Sequence, residues 1–387
     1  MTSELITDIG ELTGNEPDRA RRRDAALVIE AGRVAWLGDR RHAPAADTVT
    51  SVQGRAVLPG WVDSHSHLVF AGDRTAEFEA RLTGAPYTAG GIQSTVRATR
   101  AATDEELRGT VRRLRAEALA AGTTWLETKT GYGLDVQNEL RSARIAAEVA
   151  DDVTFLGAHV VPEGAETAEY VDLVTGPMLE AVRPHVSWID VFVERGAFDD
   201  HAARRVLTVG AAAGLGLRVH GNQLGSGPGA RLAVELGAAS VDHCNHLDDA
   251  DIDALASSTT VATLLPACDL CTRQPFGPAR ALLDAGATIA LASNCNPGTS
   301  YTTSMPFAVT TAVLQMGLSV EEAVRAATLG GATALRRASG PGSVGHLGVG
   351  ARADLQVLDA PSVASLAYRP GVPLTRAVWK DGVRVVP

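Results

Sequence analysis

The sequence predicts an α/β fold, a TIM (β/α)8 barrel with a small β-sandwich domain formed by the N- and C-terminal segments. Through the middle of the chain, short apolar runs alternate with longer amphipathic segments, as in repeated βα units. Eight such runs occur, which is the strand number of this barrel. Both ends instead show short alternating strands around glycine turns, without a helical period.

The two ends form the predicted small domain, which comprises residues 1–57 and 345–387, and residues 58–344 form the predicted barrel. A chain of 387 residues is long enough for one large domain and a smaller one. The candidate strands of the small domain are Ala26–Glu30, Arg33–Gly38, Ala353–Asp359 and Arg376–Pro387.

The middle of the chain supplies the barrel elements in order. The predicted strands are Ala56–Val62, Thr123–Lys129, Val153–Val160, Trp188–Glu194, Gly216–His220, Ser240–Cys244, Val261–Pro266 and Thr288–Asn294. The predicted helices between them include Asp104–Ala121, Val136–Ala150, His201–Ala213 and Pro278–Ala285.

Composition excludes several classes of protein. The net charge is −10, with both signs mixed along the chain, which argues against a nucleic-acid or membrane partner. No basic and apolar leader or long apolar run is present, so we expect a soluble, cytoplasmic protein. Four cysteines do not make a disulfide framework. Cys268 and Cys271 form a single C-x-x-C, which leaves a structural zinc or a redox pair as an alternative.

Two histidines, His65 and His67, follow the first predicted barrel strand. In extended backbone, side chains at i and i+2 point to the same side, so both imidazoles reach one point. Imidazole is the commonest metal ligand in proteins. The pair therefore indicates a metal site, and the alternative is a polar pair on a solvent-facing strand.

Further polar side chains stand at the C-terminal ends of the predicted strands, where barrel active sites form. A single one, such as His159, could be a hydrogen-bonded core histidine, but together they indicate metal-assisted hydrolysis of a small molecule. These residues are His65, His67, Lys129, His159, Glu194, His220, Asp242, His243 and Asn294.

Five longer segments resemble the amidohydrolase superfamily and, within it, the imidazolonepropionase family of histidine degradation. The resemblance covers nearly the whole chain. The histidine pair is common to many amidohydrolases, whereas Lys129–Leu134 and Ser94–Arg100 are more discriminating. The five segments are Pro59–Arg74, Gly90–Arg100, Glu127–Leu134, Phe155–His159 and Asn296–Ser300.

The resemblance implies hydrolysis of the cyclic amide C–N bond of 4-imidazolone-5-propanoate to N-formimidoyl-L-glutamate. It implies one divalent metal ion per subunit, zinc or iron, since imidazole suits both. It also implies a homodimer. The implied metal ligands are His65, His67, His220 and Asn294.

The resemblance also implies a substrate-binding set. Arg74 matches the family's arginine for the propanoate, because a guanidinium binds a carboxylate with two parallel hydrogen bonds, although an ordinary surface charge is the alternative. The remaining implied substrate contacts are Tyr87, Tyr132, His159, Asn296, Gly298 and Thr299.

Two departures from the family pattern fall at the chemical centre. Asn294 stands where the pattern has aspartate, and Gln223 where it has glutamate. An amide brings no negative charge and accepts no proton near neutral pH. The predicted catalytic set is therefore His243 as the main proton acceptor, with Asp242 beside it and Gln223.

The loop between Tyr87 and Gly90 is also shorter than is usual in the family. Three hypotheses follow: the same reaction in a modified site, a relative that acts on another cyclic amide or amidine, and a ligand-binding relative without turnover.

Overall fold

A computed structural model describes residues 2–16, 19–83 and 91–386. The strands are numbered in chain order: β1 Ser3–Glu16, β2 Arg19–Glu30, β3 Arg33–Asp39, β4 Thr48–Ser51, β5 Ala56–Pro59, β6 Trp61–Asp63, β7 Thr123–Lys129, β8 Asp152–Ala158, β9 Trp188–Val193, β10 Gly216–Gly221, β11 Ser240–His243, β12 Val261–Leu264, β13 Ile289–Leu291, β14 Leu355–Leu358, β15 Thr375–Lys380 and β16 Val383–Val386.

The α-helices are numbered in the same way: α1 Thr75–Leu82, α2 Ile92–Ala101, α3 Asp104–Ala120, α4 Val136–Ala147, α5 Thr167–Leu173, α6 Leu179–Val182, α7 Asp200–Ala212, α8 Gly229–Glu235, α9 Asp249–Ala256, α10 Pro266–Thr272, α11 Ala279–Asp284, α12 Met305–Gln315, α13 Val320–Arg325, α14 Gly331–Ala334 and α15 Ser365–Tyr368. Several begin at an aspartate whose side chain accepts a hydrogen bond from a first-turn N–H, as Asp135, Asp199 and Asp248 do.

The barrel prediction is confirmed. Strands β6 to β13 form one sheet in chain order, and each resolved pairing from β7 to β13 is parallel. Strands β8 and β9 are buried at every residue, as expected when both faces of a parallel sheet are covered. A parallel bridge between Ser66 and Cys295 joins the segments that follow β6 and β13, which brings the two ends of the sheet together.

The small β domain predicted from the two ends of the chain is confirmed as a separate sheet domain. Its strand order is β16-β15-β14-β5-β1-β2-β3, and β4 pairs with β1. Apolar side chains of β1, β2, β5, β14 and β15 share one buried cluster, which includes Ile6, Leu27, Val57, Leu355 and Trp379. Hydrogen bonds connect all its strands into one sheet around this core.

The first predicted barrel strand, Ala56–Val62, is two strands. β5 belongs to the terminal sheet, and β6 begins the barrel. Gly60 separates them, and a Cβ built there would lie 2.2 Å from Thr124 Oγ1. The Gly60 N–H donates to Asp354 O, and the Trp61 N–H donates to Gly122 O. One continuous apolar run thus serves two sheets, which periodicity does not reveal.

Contacts divide the chain into two compact units. The first comprises residues Met1–Asp63, Glu117–Trp125 and Ser304–Pro387, and the second comprises Ser64–Ala116 and Leu126–Thr303. Every side chain of the site described below belongs to the second unit. Within residues 2–16, 19–83 and 91–386, no helix has the length and apolar character needed to span a membrane.

Candidate active site

Three imidazoles meet at the C-terminal end of the barrel. His67 Nε2 lies 3.2 Å from His65 Nε2 and 3.5 Å from His220 Nε2. Two nitrogens bound to one tetrahedral zinc ion at about 2.0–2.1 Å lie roughly 3.3 Å apart. The spacing of these atoms therefore fits nitrogen ligands of a single metal ion.

Two buried carboxylates orient two of these rings. His65 Nδ1 lies 2.7 Å from Asp242 Oδ2, and His220 Nδ1 lies 3.0 Å from Asp190 Oδ1. A carboxylate at Nδ1 favours the tautomer whose proton is on Nδ1, which leaves the Nε2 lone pair for a metal. Burial, followed by the charge of Lys129, lowers the pKa of His65 to about 3, so this ring is neutral near pH 7. Asp242 is therefore a positioning residue, because it contacts His65 and fixes the orientation of that ring.

A buried ionic network supports both carboxylates. Lys129 Nζ lies 3.0 Å from Asp190 Oδ2, 3.0 Å from Glu127 Oε1 and 3.8 Å from Asp242 Oδ2. Arg218 Nη2 lies 3.1 Å from Asp242 Oδ2. Burial raises the pKa of Asp242, but Arg218 and His65 outweigh it and hold that pKa well below its usual range. The network therefore keeps the orienting carboxylates ionised.

Sequence reasoning did not assign Asp190, Glu127 or Arg218 to the site. A signal was present for each, since Glu127 and Arg218 stand two residues before Lys129 and His220 on their strands. Asp190 is a lone charge in the otherwise apolar strand β9.

Asn294 follows β13 at the same end of the barrel. Its backbone lies in the left-handed region, with φ of 49°, which asparagine and aspartate tolerate better than most residues. Its Oδ1 is buried and accepts no hydrogen bond from the described residues. Burial raises the pKa of the neighbouring Cys268 thiol to about 12, and a hydrogen bond with the Asn294 side chain opposes this rise.

The donor set therefore fits a metal ion: three imidazole nitrogens lie at ligand spacing, and one buried amide oxygen has no partner in the part of the chain that the structure describes. Among the described residues, one group of side chains that could hold a metal is His65, His220 and His243, and another is Asp190, His220 and Asp242.

His243 and Gln223 line the same pocket. His243 Nδ1 is buried without a hydrogen-bond partner among the described residues. Burial, with His220 and His65, holds the pKa of His243 well below its usual range, so the ring is neutral near pH 7. The Gln223 backbone N–H donates to Glu194 Oε1 at 2.6 Å, which fixes the loop after β10.

The pocket brings together most of the predicted substrate residues. Arg74, Tyr132, His159, Asn296 and Thr299 all line it. Ile92 and Phe192 line it as well and were not predicted. Tyr87 lies outside the described residues. The complete lining is His67, Arg74, Ile92, Tyr132, His159, Phe192, His220, Gln223, His243, Asn294, Asn296 and Thr299.

The loop that carries Tyr132 is organised by a buried carboxylate. Glu139 Oε1 accepts N–H donors from Gly133 at 2.7 Å and Leu134 at 2.9 Å, and Glu139 also accepts from Gly131. The Gly131 carbonyl then lies 2.9 Å from His159 Nδ1. Glu139 thus links the position of Tyr132 to that of His159, a role that sequence reasoning missed.

The loop after β13 is held by its own asparagine. Asn296 Oδ1 accepts from the N–H groups of Gly298 and Thr299, both at 2.8 Å. Asn296 Nδ2 donates to Asn294 O and to Thr299 Oγ1. The amide of Asn296 and the N–H of Gly298 are therefore engaged within the loop.

The C-x-x-C pair lies on α10. Burial raises the pKa of both thiols, Cys268 and Cys271, which opposes thiolate formation. All four cysteines are free. Neither group of possible metal ligands named above contains a cysteine.

Comparison with known proteins places this geometry in a family. The model of the amidohydrolase family matches residues 56–385. An imidazolonepropionase of Saccharopolyspora erythraea is 69% identical over 385 residues, which cover 100% of this chain and 99% of the relative. An imidazolonepropionase of Paenarthrobacter aurescens is 63% identical, with 99% of this chain and 98% of the relative covered.

Solved structures show the same fold at low sequence identity. An adenosine deaminase from Xanthomonas campestris with bound zinc has a TM-score of 0.76 and 20% identity, and the match covers 99% of this chain and 92% of that one. An N-isopropylammelide isopropylaminohydrolase from Burkholderia multivorans has a TM-score of 0.73 and 21% identity, with 100% and 98% covered. The chain belongs to the amidohydrolase family, and the curated relatives that it matches along their whole length are imidazolonepropionases.

Proposed function

We propose that this chain hydrolyses the cyclic amide C–N bond of 4-imidazolone-5-propanoate and releases N-formimidoyl-L-glutamate, a step of L-histidine degradation. The observation that carries the proposal is one pocket lined by His67, His220 and Arg74, which supplies metal-ligand nitrogens and a guanidinium to the same small molecule. The relatives named for this activity support the same substrate.

The proposal includes one divalent metal ion per subunit, zinc or iron. His65, His67 and His220 would hold it through Nε2, and Asn294 through Oδ1, the buried oxygen described above. When bound, such an ion polarises a carbonyl and lowers the pKa of water. Because Asn294 is neutral, these four ligands bring no negative charge of their own. The buried carboxylates Asp190 and Asp242 supply that charge one shell further out.

The remaining roles belong to the chain's own residues. His243 accepts the proton of the attacking water and passes it to the ring nitrogen that leaves. Like His67, it is a neutral imidazole of this pocket whose Nδ1 has no partner among the described residues, but His67 is assigned to the metal. Gln223 cannot accept a proton and serves as a hydrogen-bonding group. Arg74 binds the propanoate. Tyr132, His159 and Thr299 contact the ring or its side chain.

The test is turnover of freshly generated substrate by metal-loaded protein, with the product identified by mass. We expect consumption well above the spontaneous rate and accumulation of N-formimidoyl-L-glutamate. The variant Asn294→Asp is measured in parallel. The left-handed backbone at position 294 also accommodates aspartate, so this substitution tests the side chain without straining the backbone.

Inactivity of both proteins would refute the proposal. Activity in Asn294→Asp alone would identify a relative whose natural site binds ligand without turnover. Activity on a different cyclic amide or amidine alone would reassign the substrate.

The proposed enzyme is cytoplasmic and a homodimer. Sedimentation of the purified chain tests the second statement, with a mass of about twice 40.3 kDa as the expected result.

A further inference from the structure

The Arg74 guanidinium is held along one edge by a carboxylate. Arg74 Nε donates to Glu77 Oε2 at 2.8 Å, and Nη2 donates to Glu77 Oε1 at 2.5 Å. The Arg74 side chain is only 5% exposed, whereas that of Glu77 is 33% exposed. A bidentate pair of this kind fixes the plane of a guanidinium as well as its position.

Two glycines flank the same group. A Cβ built on Gly91 would lie 2.1 Å from Arg74 Nη2, and a Cβ built on Gly298 would lie 2.1 Å from Arg74 Nη1. Gly91 has φ of −62°, and Gly298 is not among the residues with positive φ. Their backbones therefore allow alanine, and what these positions require is space.

The loop beside Nη1 is anchored on both sides of the peptide. Arg81 Nη2 donates to Gly298 O at 2.6 Å, and the Gly298 N–H donates to Asn296 Oδ1 at 2.8 Å. Because these bonds engage both backbone groups of Gly298, the residue contributes an open space for the guanidinium. This role differs from the substrate hydrogen bond that the family resemblance implied.

We infer that Glu77, Gly91 and Gly298 form a cradle that fixes the direction of the Arg74 guanidinium and so determines the selectivity of the pocket for a ligand carboxylate. The inference rests on the proposed function only in assigning the substrate's propanoate to Arg74. The three residues are positioning residues, because they act through Arg74.

The charge balance between Arg74 and Glu77 determines which property of a ligand the cradle recognises. Glu77 already compensates the buried guanidinium, so the pair carries no excess positive charge. Selectivity for a carboxylate then comes from the direction of the N–H groups, which a preorganised side chain provides at little further entropic cost. Any change that rotates the guanidinium weakens carboxylate binding and leaves the bond-breaking end of the pocket unchanged.

The test uses three matched glycine variants. Gly91→Ala and Gly298→Ala each place a methyl group on the guanidinium, whereas Gly109→Ala on α3 places one in open space. For the first two, we expect KM to rise roughly tenfold, the loss of about one charge-assisted hydrogen bond, with kcat within about twofold of wild type. Gly109→Ala should leave both constants unchanged.

A second readout separates positioning from general damage. Calorimetry with imidazolepropanoate and with imidazole measures binding with and without the carboxylate. Gly91→Ala and Gly298→Ala should weaken the binding of imidazolepropanoate and leave that of imidazole unchanged, and both variants should unfold at the wild-type temperature. If Gly298→Ala does not fold, Gly91→Ala, just before α2, gives the answer alone.

Glu77→Gln tests the carboxylate, with Glu79→Gln on the exposed side of α1 as its control. We expect a KM increase of roughly tenfold for Glu77→Gln and none for Glu79→Gln. A lower KM for Glu77→Gln would show that Glu77 competes with the substrate and would overturn the cradle. Unchanged KM in both Gly91→Ala and Gly298→Ala would overturn it as well. Absence of wild-type turnover would instead refute the proposed function, while the calorimetry still tests the cradle.

Discussion

The two ends of the pocket are built differently. At the metal end, the histidines stand on or beside β6 and β10, and the carboxylates that orient them lie on β9 and β11. At the carboxylate end, Arg74 lies just before α1, and its neighbours Gly91 and Gly298 come from loops. Strands hold the first end, and local hydrogen bonds hold the second.

The two ends of the pocket are made rigid by different interactions. Ionic contacts between fully buried side chains fix the metal end, where removal of one partner leaves an uncompensated charge. At the carboxylate end, Glu77 is partly exposed, so a change there alters ligand affinity more than stability. We therefore expect variants of the two ends to separate kcat and stability from KM.

The largest effect is expected for His220→Ala at the metal end. This variant removes one imidazole and leaves Asp190 without its partner, so the protein should lose its metal and roughly a thousandfold or more of its kcat. Metal content and turnover are measured together. His201→Ala, an exposed histidine on α7, is the control, and retained metal in His220→Ala would contradict the assignment.

The next effect is expected for Lys129→Met. Lys129 is fully buried and lies within 3.8 Å of three carboxylates, so its loss removes a cation from Glu127, Asp190 and Asp242. Arg218 contacts Asp242 and does not replace Lys129 beside the other two. We expect the free energy of unfolding to fall by about 3–5 kcal/mol and metal affinity to fall by roughly 10–100-fold. Urea unfolding of the apo and metal-loaded proteins checks both values. An unchanged unfolding midpoint would show that the network is not ionic in solution.

A smaller effect, confined to KM, is expected for Arg74→Ala. Loss of the guanidinium should raise KM by roughly 10–100-fold, the value of hydrogen bonds to a charged group, while metal content stays at the wild-type level. Steady-state kinetics with elemental analysis measure both. The exposed Arg97→Ala on α2 is the control. A loss of metal in Arg74→Ala would mean that the two ends are not independent.

The smallest effect on the site is expected at Asp269, on α10. Burial raises the pKa of its carboxyl from 3.8 to about 7, so the folded state keeps a proton that the unfolded state loses between these values. Stability should therefore fall as pH rises through this window, by up to about 1.4 kcal/mol per pH unit. Asp269→Asn should remove this contribution. Its free energy of unfolding, compared with that of wild type at the same pH, should therefore be higher at pH 8 than at pH 5.

Urea unfolding of wild type and Asp269→Asn at pH 5 and pH 8 measures this difference in stability, with the exposed Asp253→Asn as the control. An Asp269→Asn variant with the same pH dependence as wild type would show that this carboxyl is ionised when folded.

The strand-built parts of the molecule follow from the sequence. Strand Thr123–Lys129 was predicted with its observed limits, and two residues of spacing sufficed to bring His65 and His67 together. The carboxylates that orient His65 and His220, Asp242 and Asp190, lie on other strands, and pairing across a barrel depends on register that one strand does not encode. This is why Asp190 was missed.

The loop-built end depends on contacts that no periodicity records. The pair of Arg74 with Glu77 is three residues apart, yet only the structure shows that Gly91 and Gly298 leave room for it. The Glu139 carboxylate organises the backbone of the Lys129–Leu134 motif, and the residue types of that motif do not predict this contact. Gly60 shows the same limit, because a single apolar run supplies two sheets.

We propose a metal-dependent hydrolase whose ion is held by three histidines. Elemental analysis of protein prepared without chelator, combined with turnover before and after metal removal, tests this claim most directly. We predict about one divalent ion per chain, loss of turnover when a chelator removes it, and recovery when zinc or iron returns. Full turnover by metal-free protein would contradict the account.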